Sequence, residues 1–413
     1  MTTQSTGHQL LCQICRKAGL IELLNLGHQP IVQEYVSSGE LKQQETVYPL
    51  ALVRCRACGL LQLDYIVEPK KVFHQEYPYR TGLTNMLLRN FEQLADGMHG
   101  QKMFGKGDLV VDIGSNDGSL LKPFKARGAR VVGVEPTNAA KVANKTGIKT
   151  LQEFYNAQTA KKIVKKYGKA QVVTATNVFA HINDAPSLVK NIKALMDKNG
   201  VFVSESQYLM DIVEKLEFDT IYHEHLRFYA LKPLAQLFSA HEMSITDAER
   251  ITAAGGSIRV FAKIGKHKMS ARTKKLIQAE ERAGLYDEKK LRLFAQKAHR
   301  TKADLLALLI QCKKKGRIVG LTSSARSNTL LGFCHIDATF LDYAGEKKGS
   351  PKIGMYTPGT HIPVVDEARI IKEQPEYLLV LSWHIGPELI KLMKKFGYKG
   401  KFILPLPTPK IVL

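Results

Sequence analysis

The sequence lacks the features that mark several other classes of protein. No apolar run in its 413 residues approaches the roughly 20 residues needed to cross a bilayer. The polar start, residues 1–9, has neither the charged nor the apolar region of a secretory signal. There is no low-complexity tract and no internal repeat. These absences predict packed globular domains in the cytoplasm, without a membrane partner.

Acidic residues are scarce relative to basic ones. The 38 acids and 60 bases leave a formal net charge of +22, for which a nucleic acid partner is one explanation and a basic surface spread over the whole chain is another. The lysines are scattered, and the denser groups lie near predicted helix ends, at 161–162, 165–166, 289–290 and 313–315. RNA binding would call for a clustered basic stripe or a platform of stacking aromatics. Neither is visible, and we therefore expect no nucleic acid partner.

Cysteine is also rare, and four of the six cysteines form two Cys-x-x-Cys pairs, at Cys12, Cys15, Cys55 and Cys58. This spacing predicts a tetrahedral zinc site, whereas disulfides are unfavourable in a cytosolic protein. Four thiolates leave no ligand position for water or substrate, so the Zn²⁺ is expected to be structural. His28 could replace one thiol, but four already suffice. We predict a zinc-ribbon module over residues 1–76, and buried apolar roles for Cys312 and Cys334.

The nicotinamide fingerprint G-x-G-x-x-G is absent, although residues 109–135 have the pattern of a strand, turn, helix and second strand. The residues expected to contact a cofactor are Asp112, Gly114, Ser115, Asn116, Asp117 and Gly118 in the first turn, with Glu135 at the end of the second strand. A carboxylate there can accept both ribose hydroxyls, and no pyrophosphate needs to be neutralised. A cationic, adenosine-bearing cofactor therefore fits better than a dinucleotide, although an ordinary α/β turn is the alternative. The stretch resembles class I S-adenosylmethionine methyltransferases, which implies further cofactor contacts from Pro136 and Asn177.

The α/β alternation continues beyond this unit. The pattern predicts helices at 83–98, 138–146, 157–167 and 186–196, and strands at 149–152, 170–175 and 201–205. We expect a doubly wound methyltransferase domain over 77–250. Two long helices within 272–313 precede a strand at 317–322, which predicts a second, smaller Rossmann-like domain over 251–413. The turn 323–328 could receive a pyrophosphate, with the fork of Arg326 and with Asn328 contacting substrate.

Residues 222–229 concentrate the groups suited to acid–base chemistry. The zinc protease pattern H-E-x-x-H is absent because Arg227 stands where its second histidine would be. A helix would place Tyr222, His225 and Tyr229 on one face, whereas a strand would place His223 and His225 together. In either case Glu224 could fix the tautomer of a histidine that acts as a base. A purely structural hydrogen-bonded cluster is the alternative.

The chain resembles the nucleotide-sugar C-methyltransferases over nearly its whole length. The shared motifs are the two Cys-x-x-Cys pairs around residues 27–30, the turn 112–118, and the segments 218–225, 255–259, 327–331 and 356–363. The resemblance implies S-adenosylmethionine-dependent methylation at C3 of a dTDP-4-keto-deoxysugar through an enolate, or at C5 as in relatives. It assigns the general base to His225, with His181, Tyr222, Glu224 and Tyr79 lining the sugar site.

Two other functions compete with this one. A zinc-ribbon methyltransferase that binds RNA would share the metal site and the cofactor fold. A non-catalytic zinc scaffold would leave residues 222–225 unexplained. We expect a small-molecule substrate held between two tightly packed Rossmann-like domains, and a monomer or weak dimer.

Overall fold

The computed structural model describes residues 6–73, 81–83 and 85–413. The predicted α/β class is confirmed, with a small antiparallel N-terminal module, a seven-stranded middle sheet and a second Rossmann-like sheet of six strands. Within the described ranges, no helix is both long enough and apolar enough to cross a membrane.

The N-terminal module is a small antiparallel unit. Its elements are β1 Gly7–His8, β2 Leu20–Gln29, β3 Tyr48–Cys55, β4 Leu61–Leu63, β5 Tyr65–Ile66 and the short helix α1 Pro69–Val72. Strands β2, β3 and β4 pair antiparallel in chain order, and β1 pairs with β5. Both Cys-x-x-Cys turns lie at one end of this sheet, since the second begins at the last residue of β3.

A seven-stranded sheet forms the middle of the molecule. This part of the chain contains eight strands, seven of which form the sheet: β6 Leu109–Ile113, β7 Arg130–Val134, β8 Thr150–Leu151, β9 Ala170–Thr176, β10 Met196–Gln207, β11 Arg227–Phe228, β12 Met243–Ile251 and β13 Ser257–Ile264. The helices are α2 Asn85–Gly100, α3 Leu121–Ala126, α4 Ala139–Lys145, α5 Ala157–Tyr167, α6 Ala185–Leu195, α7 Leu209–Glu214 and α8 Leu231–Ser239. The sheet order is β12-β13-β10-β9-β6-β7-β8, while β11 joins the N-terminal sheet beside β4.

The order of this sheet fixes where a ligand binds. The chain moves outward from β6 through β7 to β8 and then returns to β9 on the other side of β6. This reversal creates a crevice at the carboxyl ends of β6 and β9, the usual ligand position in open α/β sheets. Every residue of β6 is buried, as expected for a parallel strand that is covered on both faces.

Two details differ from the sequence prediction. The predicted boundary at residue 250 falls at the β12–β13 hairpin, and β13 pairs with β10 in the middle sheet. Residues 198–200, which separate the predicted helix 186–196 from the predicted strand 201–205, lie within β10, where the pairing with β9 shifts register between Met196 and Val201. An irregular strand start of this kind has the composition of a turn, which explains the difference.

Five helices and a six-stranded sheet, parallel except for its last strand, complete the chain. The helices are α9 Ala271–Arg282 and α10 Glu288–Lys313, then α11 Ala325–Cys334, α12 Ala368–Glu373 and α13 Gly386–Lys395. The strands are β14 Ile318–Leu321, β15 Ala344–Glu346, β16 Val364–Asp366, β17 Tyr377–Val380, β18 Lys401–Leu404 and β19 Lys410–Val412. Along α10, Leu291, Phe294, Leu305 and Leu309 recur at helical spacing and are buried, and Cys312 and Cys334 are buried as predicted. One apolar cluster includes side chains from all three parts, for example Leu52, Val173 and Leu330.

Candidate active site

A cavity of about 680 Å³ lies at the carboxyl ends of β6, β7 and β9. All three parts of the chain line it, with Gln33 from the N-terminal module and Ser324 from the C-terminal sheet among the lining residues. The predicted site residues that line it are Asp112, Gly114, Ser115, Asn116, Glu135, Pro136, Asn177, His181, Tyr222, Glu224, His225 and Arg326. Its size is that of a typical small-molecule site.

The turn after β6 brings backbone close to the cavity. Gly114 has a φ of +70°, and a side chain at this position would overlap Val178. Asp112 is buried beneath the turn and accepts a hydrogen bond from the Thr174 hydroxyl at 2.6 Å. Burial raises the pKa of Asp112 to about 7. Only glycine allows the chain to pass this closely, which leaves room for a ligand beside β6.

Glu135 is oriented by two backbone groups. Its carboxylate oxygens accept hydrogen bonds from the Asn116 N–H at 3.0 Å and the Thr137 N–H at 2.9 Å. The side chain is buried at the end of β7 and lines the cavity. Each carboxylate oxygen has a second lone pair, so two ribose hydroxyls can still be accepted. These acceptor oxygens, together with the backbone of Gly114 that lines the cavity, fit the adenosine part of S-adenosylmethionine.

Asp117 and Gly118 do not line this cavity. The Asp117 carboxylate accepts hydrogen bonds from the backbone N–H groups of Gly82 and Ser119, at 2.8 and 3.2 Å. Gly118, with a φ of +78°, packs against Ile148. Both residues therefore stabilise the turn without lining the cavity.

His225 is held in one tautomer by a main-chain carbonyl. Its Nδ1 lies 2.7 Å from the carbonyl oxygen of Thr220. A carbonyl only accepts, so Nδ1 carries the proton and Nε2 carries a lone pair. Burial lowers the pKa of His225 to about 4. The imidazole is therefore neutral near pH 7 and able to take a proton at Nε2.

Two aromatic groups flank this imidazole. The Tyr222 ring centroid lies 4.0 Å from that of His225, and the His181 ring stacks on His225 at 5.0 Å. Phe73, from the N-terminal module, stacks against His181 at 5.7 Å. Burial holds the pKa of His181 well below its ordinary value. Neutral His181 and the Tyr222 hydroxyl are both hydrogen-bond donors on side chains that flank the His225 imidazole.

The segment that carries these groups is neither the predicted helix nor the predicted strand. Residues 221–226 form a turn between a 3₁₀ turn, Phe218–Thr220, and β11. Within that turn, His223 does not accompany His225: its Nε2 lies 3.2 Å from the Pro49 carbonyl oxygen, and it does not line the cavity. The tertiary bond from the Leu226 N–H to the Ala180 carbonyl, at 3.1 Å, overrides the local periodicity.

Arg227 has a role that the sequence did not reveal. It is fully buried, and its guanidinium donates to the carbonyl oxygens of Ile182 and Asn183 and to Gln13. These bonds fix the loop that carries His181. The position of Tyr79 lies outside the described residues.

Of the two substrate contacts predicted in the turn 323–328, Arg326 lines the cavity and Asn328 does not. Arg326 lines the cavity, but its fork is taken by Asp219, with Nε–O and Nη2–O distances of 3.1 and 2.8 Å. Asn328 does not line the cavity, because its amide donates to the carbonyl oxygen of Val32 at 2.7 Å. Lys352 is a cavity-lining cation that sequence reasoning missed. It follows a surface-like run of lysine, glycine and serine, with no local signal of burial.

The four N-terminal cysteines form one compact cluster. Their Sγ atoms all lie within 4.8 Å of one another, with Cys12–Cys58 and Cys15–Cys55 separations of 3.5 and 3.6 Å. A tetrahedral ion with Zn–S bonds of roughly 2.3 Å separates its sulfurs by about 3.8 Å. The donor set therefore fits zinc, as predicted, and all four ligand positions come from protein.

A seven-stranded sheet with a single antiparallel strand, and a ligand cradle at its reversal point, define a class I methyltransferase. Residues 83–247 match the family described as a methyltransferase domain, residues 12–73 a putative zinc binding domain, and residues 252–407 a C-methyltransferase C-terminal domain. The chain is 30% identical to the C-methyltransferase NovU of Streptomyces niveus, over 97% of this chain and 96% of that protein. It belongs to this family of C-methyltransferases, with S-adenosylmethionine and zinc as its cofactors.

Two further proteins are similar to part of the chain. The ubiquinone biosynthesis O-methyltransferase of Rhodopseudomonas palustris strain BisB5 is 31% identical over 24% of this chain and 39% of its own length. The magnesium protoporphyrin IX methyltransferase of Synechocystis PCC 6803, solved with bound S-adenosylmethionine, has a TM-score of 0.36 and 14% identity. The matched region covers 48% of this chain and 99% of that protein.

Proposed function

We propose that this enzyme methylates C3 of a nucleotide-linked 4-keto-deoxysugar, such as a dTDP sugar, through an enolate. The observation that carries the proposal is the setting of His225, a neutral imidazole whose Nδ1 proton bonds to the Thr220 carbonyl. A sugar C–H is too weak an acid to lose its proton unless a carbonyl stands next to it. A 4-keto group supplies that activation at C3.

The chain's own groups suit this reaction. His225 takes the C3 proton at Nε2 and keeps its Nδ1 proton on Thr220. Tyr222 or His181 donates a hydrogen bond to the charge that develops on O4, a role that favours fixed donors in a site shielded from water. When bound in the cradle, S-adenosylmethionine supplies the methyl group that the enolate carbon receives.

The two sides of the cavity carry different groups. The side that the middle sheet supplies has the Glu135 carboxylate, which suits a cationic cofactor and its ribose. The side that the C-terminal sheet supplies has Lys352, which is ion-paired with Glu346 at 3.3 Å, and the hydroxyls of Ser323 and Ser324 beside the start of α11. Cations, hydroxyls and a helix N-terminus favour phosphate groups, which supports a nucleotide-linked substrate.

Product analysis tests the proposal. The protein is incubated with a dTDP-4-keto-deoxysugar and S-adenosylmethionine labelled with ¹³C at the methyl group. We expect a labelled methyl bonded to C3, identified by long-range carbon–proton correlation. A methyl on C5 would assign the chain to the C5-acting group. A methyl on oxygen, or methyl transfer only to RNA in a parallel incubation, would overturn carbon methylation of a sugar.

A further inference from the structure

The carbonyl that holds His225 follows directly after a completely buried carboxylate. Asp219 is 0% exposed and lies in the 3₁₀ turn Phe218–Thr220. It accepts hydrogen bonds from Arg326 Nε and Nη2 at 3.1 and 2.8 Å, and from Trp383 Nε1 at 2.8 Å. Both carboxylate oxygens are therefore occupied by donors of fixed geometry.

The donors come from the C-terminal part of the chain. Arg326 is the second residue of α11, and Trp383 follows β17 in a 3₁₀ turn. The guanidinium also lies over the Trp383 ring, 5.3 Å from its centroid. A second buried carboxylate, Glu217, lies 3.4 Å from Arg326 Nη1. Because a buried charge is costly to leave unpaired, these side chains hold one another in place.

The same helix braces the rest of the segment. Phe218 packs edge-on against Phe333 of α11, with ring centroids 5.3 Å apart. Tyr222 packs with Ala325, the first residue of α11, and with Val32. The turn is thus clamped on both sides of Thr220. The Thr220 carbonyl belongs to the planar peptide between Thr220 and Ile221, and the N–H of that peptide donates to the Phe218 carbonyl at 3.1 Å. The clamped turn therefore sets the direction of the Thr220 carbonyl.

We propose that Asp219 is a positioning residue for the general base: through it, Arg326 and Trp383 hold the Thr220 carbonyl against Nδ1 of His225. The inference rests on the proposed role of His225 as the base. It gives the C-terminal domain a part in the proton transfer itself, in addition to contacts with substrate. Asp219 acts through its neighbours and does not line the cavity.

The substitution Asp219→Asn tests this directly. Asparagine keeps the shape but has no charge and only one acceptor oxygen, so the Arg326 fork loses a partner. We expect kcat to fall roughly tenfold or more, because small misplacements of a reacting group have effects of this size. The KM for the sugar and the Kd for S-adenosylmethionine should stay within about threefold.

Nuclear magnetic resonance gives a readout that does not depend on activity. With ¹⁵N-labelled histidine, the Nδ1 proton of His225 should give a slowly exchanging signal, identified by its loss in His225→Gln. In Asp219→Asn this signal should broaden or disappear. Asp342→Asn is the matched control, because Asp342 likewise accepts hydrogen bonds from two side chains of the C-terminal domain, Lys313 and Arg317. It should change neither the signal nor kcat.

Trp383→Phe removes one donor and keeps a ring, so it serves if Asp219→Asn fails to fold. It should cause a smaller loss of kcat in the same direction and weaken the same signal. An unchanged Nδ1 signal and an unchanged kcat in a folded variant would overturn the positioning role. A loss of activity that is fully explained by weaker binding of S-adenosylmethionine, with kcat unchanged at saturation, would also overturn it. If His225→Gln is itself active, the proposed base is wrong, whereas the signal still reports whether Asp219 positions His225.

Discussion

At the scale of single residues, the main feature is the proposed base, His225, whose position and tautomer are set by burial and by one carbonyl. The Thr220 carbonyl determines which nitrogen of His225 carries the proton. Burial lowers the pKa to about 4, so the imidazole is a weak base that is nevertheless neutral throughout the physiological range. Donors such as Tyr222 stabilise the charge that develops on the substrate. This stabilisation favours the proton transfer that the low pKa of His225 would otherwise oppose.

The pH dependence of activity follows from this pKa. A base must be unprotonated, and His225 with a pKa of about 4 stays unprotonated far below the ordinary histidine value of 6.5. We therefore expect kcat/KM for the sugar to show no loss from His225 between pH 8 and about pH 5.5. A pH–rate profile that declines with a midpoint near 6.5, and that loses this decline in a His225 variant, would contradict the burial argument.

Glu135 is expected to dominate the binding of the cofactor ribose. Replacing it by glutamine keeps its shape but removes the charge, and the prediction is a loss of affinity for S-adenosylmethionine of tenfold or more. Hydrogen bonds to charged groups contribute roughly 1.5 to 3 kcal/mol, which corresponds to that loss. Calorimetric titration measures the affinity, with Glu153→Gln, an exposed ion-paired carboxylate, as the control. Equal affinities of the two variants would place the ribose elsewhere.

At the scale of elements, strands and helices with strong periodicity were predictable, and segments held by tertiary contacts were not. The unit from β6 to β7 has an unbroken apolar pattern, so its turn and the position of Glu135 followed from the sequence. Residues 221–226 have no such pattern, because their turn is fixed by backbone bonds to distant residues such as Ala180. Lys352 and the pairing of Arg326 with Asp219 were invisible for the same reason: both depend on parts of the chain that are distant in sequence.

The N-terminal sheet is expected to depend on its metal. Cys58→Ser removes one of four thiolates, and zinc should be lost with misfolding of this module, since structural zinc contributes directly to folding. Elemental analysis should give one zinc per wild-type chain. Cys312→Ser, which changes a buried thiol outside the cluster, should keep the metal. Well-folded wild-type protein without zinc would refute the assignment.

At the scale of the whole molecule, three parts of the chain close around one cavity. Phe73 from the N-terminal module, Glu135 from the middle sheet and Lys352 from the C-terminal sheet all line it. The catalytic groups therefore depend on packing between the parts as well as on the middle sheet. Buried neutral histidines are part of that packing.

Stability should fall in acid for this reason. Burial lowers the pKa of both His223 and His225 to about 4, whereas the unfolded chain binds these protons near 6.5. Protonation therefore favours the unfolded state, and the unfolding free energy should decrease as pH falls from about 6.5 to about 4, by roughly 3 kcal/mol for each group. Urea titrations should show a shallower decrease for His223→Gln than for a variant of the exposed His8. Equal slopes would contradict the effect of burial.

The central claim is that His225 removes the proton next to the ketone, and hydrogen exchange at C3 tests it most directly. Wild-type enzyme with S-adenosylhomocysteine and a dTDP-4-keto-deoxysugar in deuterium oxide should incorporate deuterium at C3. His225→Gln should bind both ligands with affinities within about threefold of wild type and should neither exchange C3 nor transfer a methyl group, because the imidazole acts on the reaction rather than on the ground state. Exchange and methyl transfer at near wild-type rates in that variant would contradict the account.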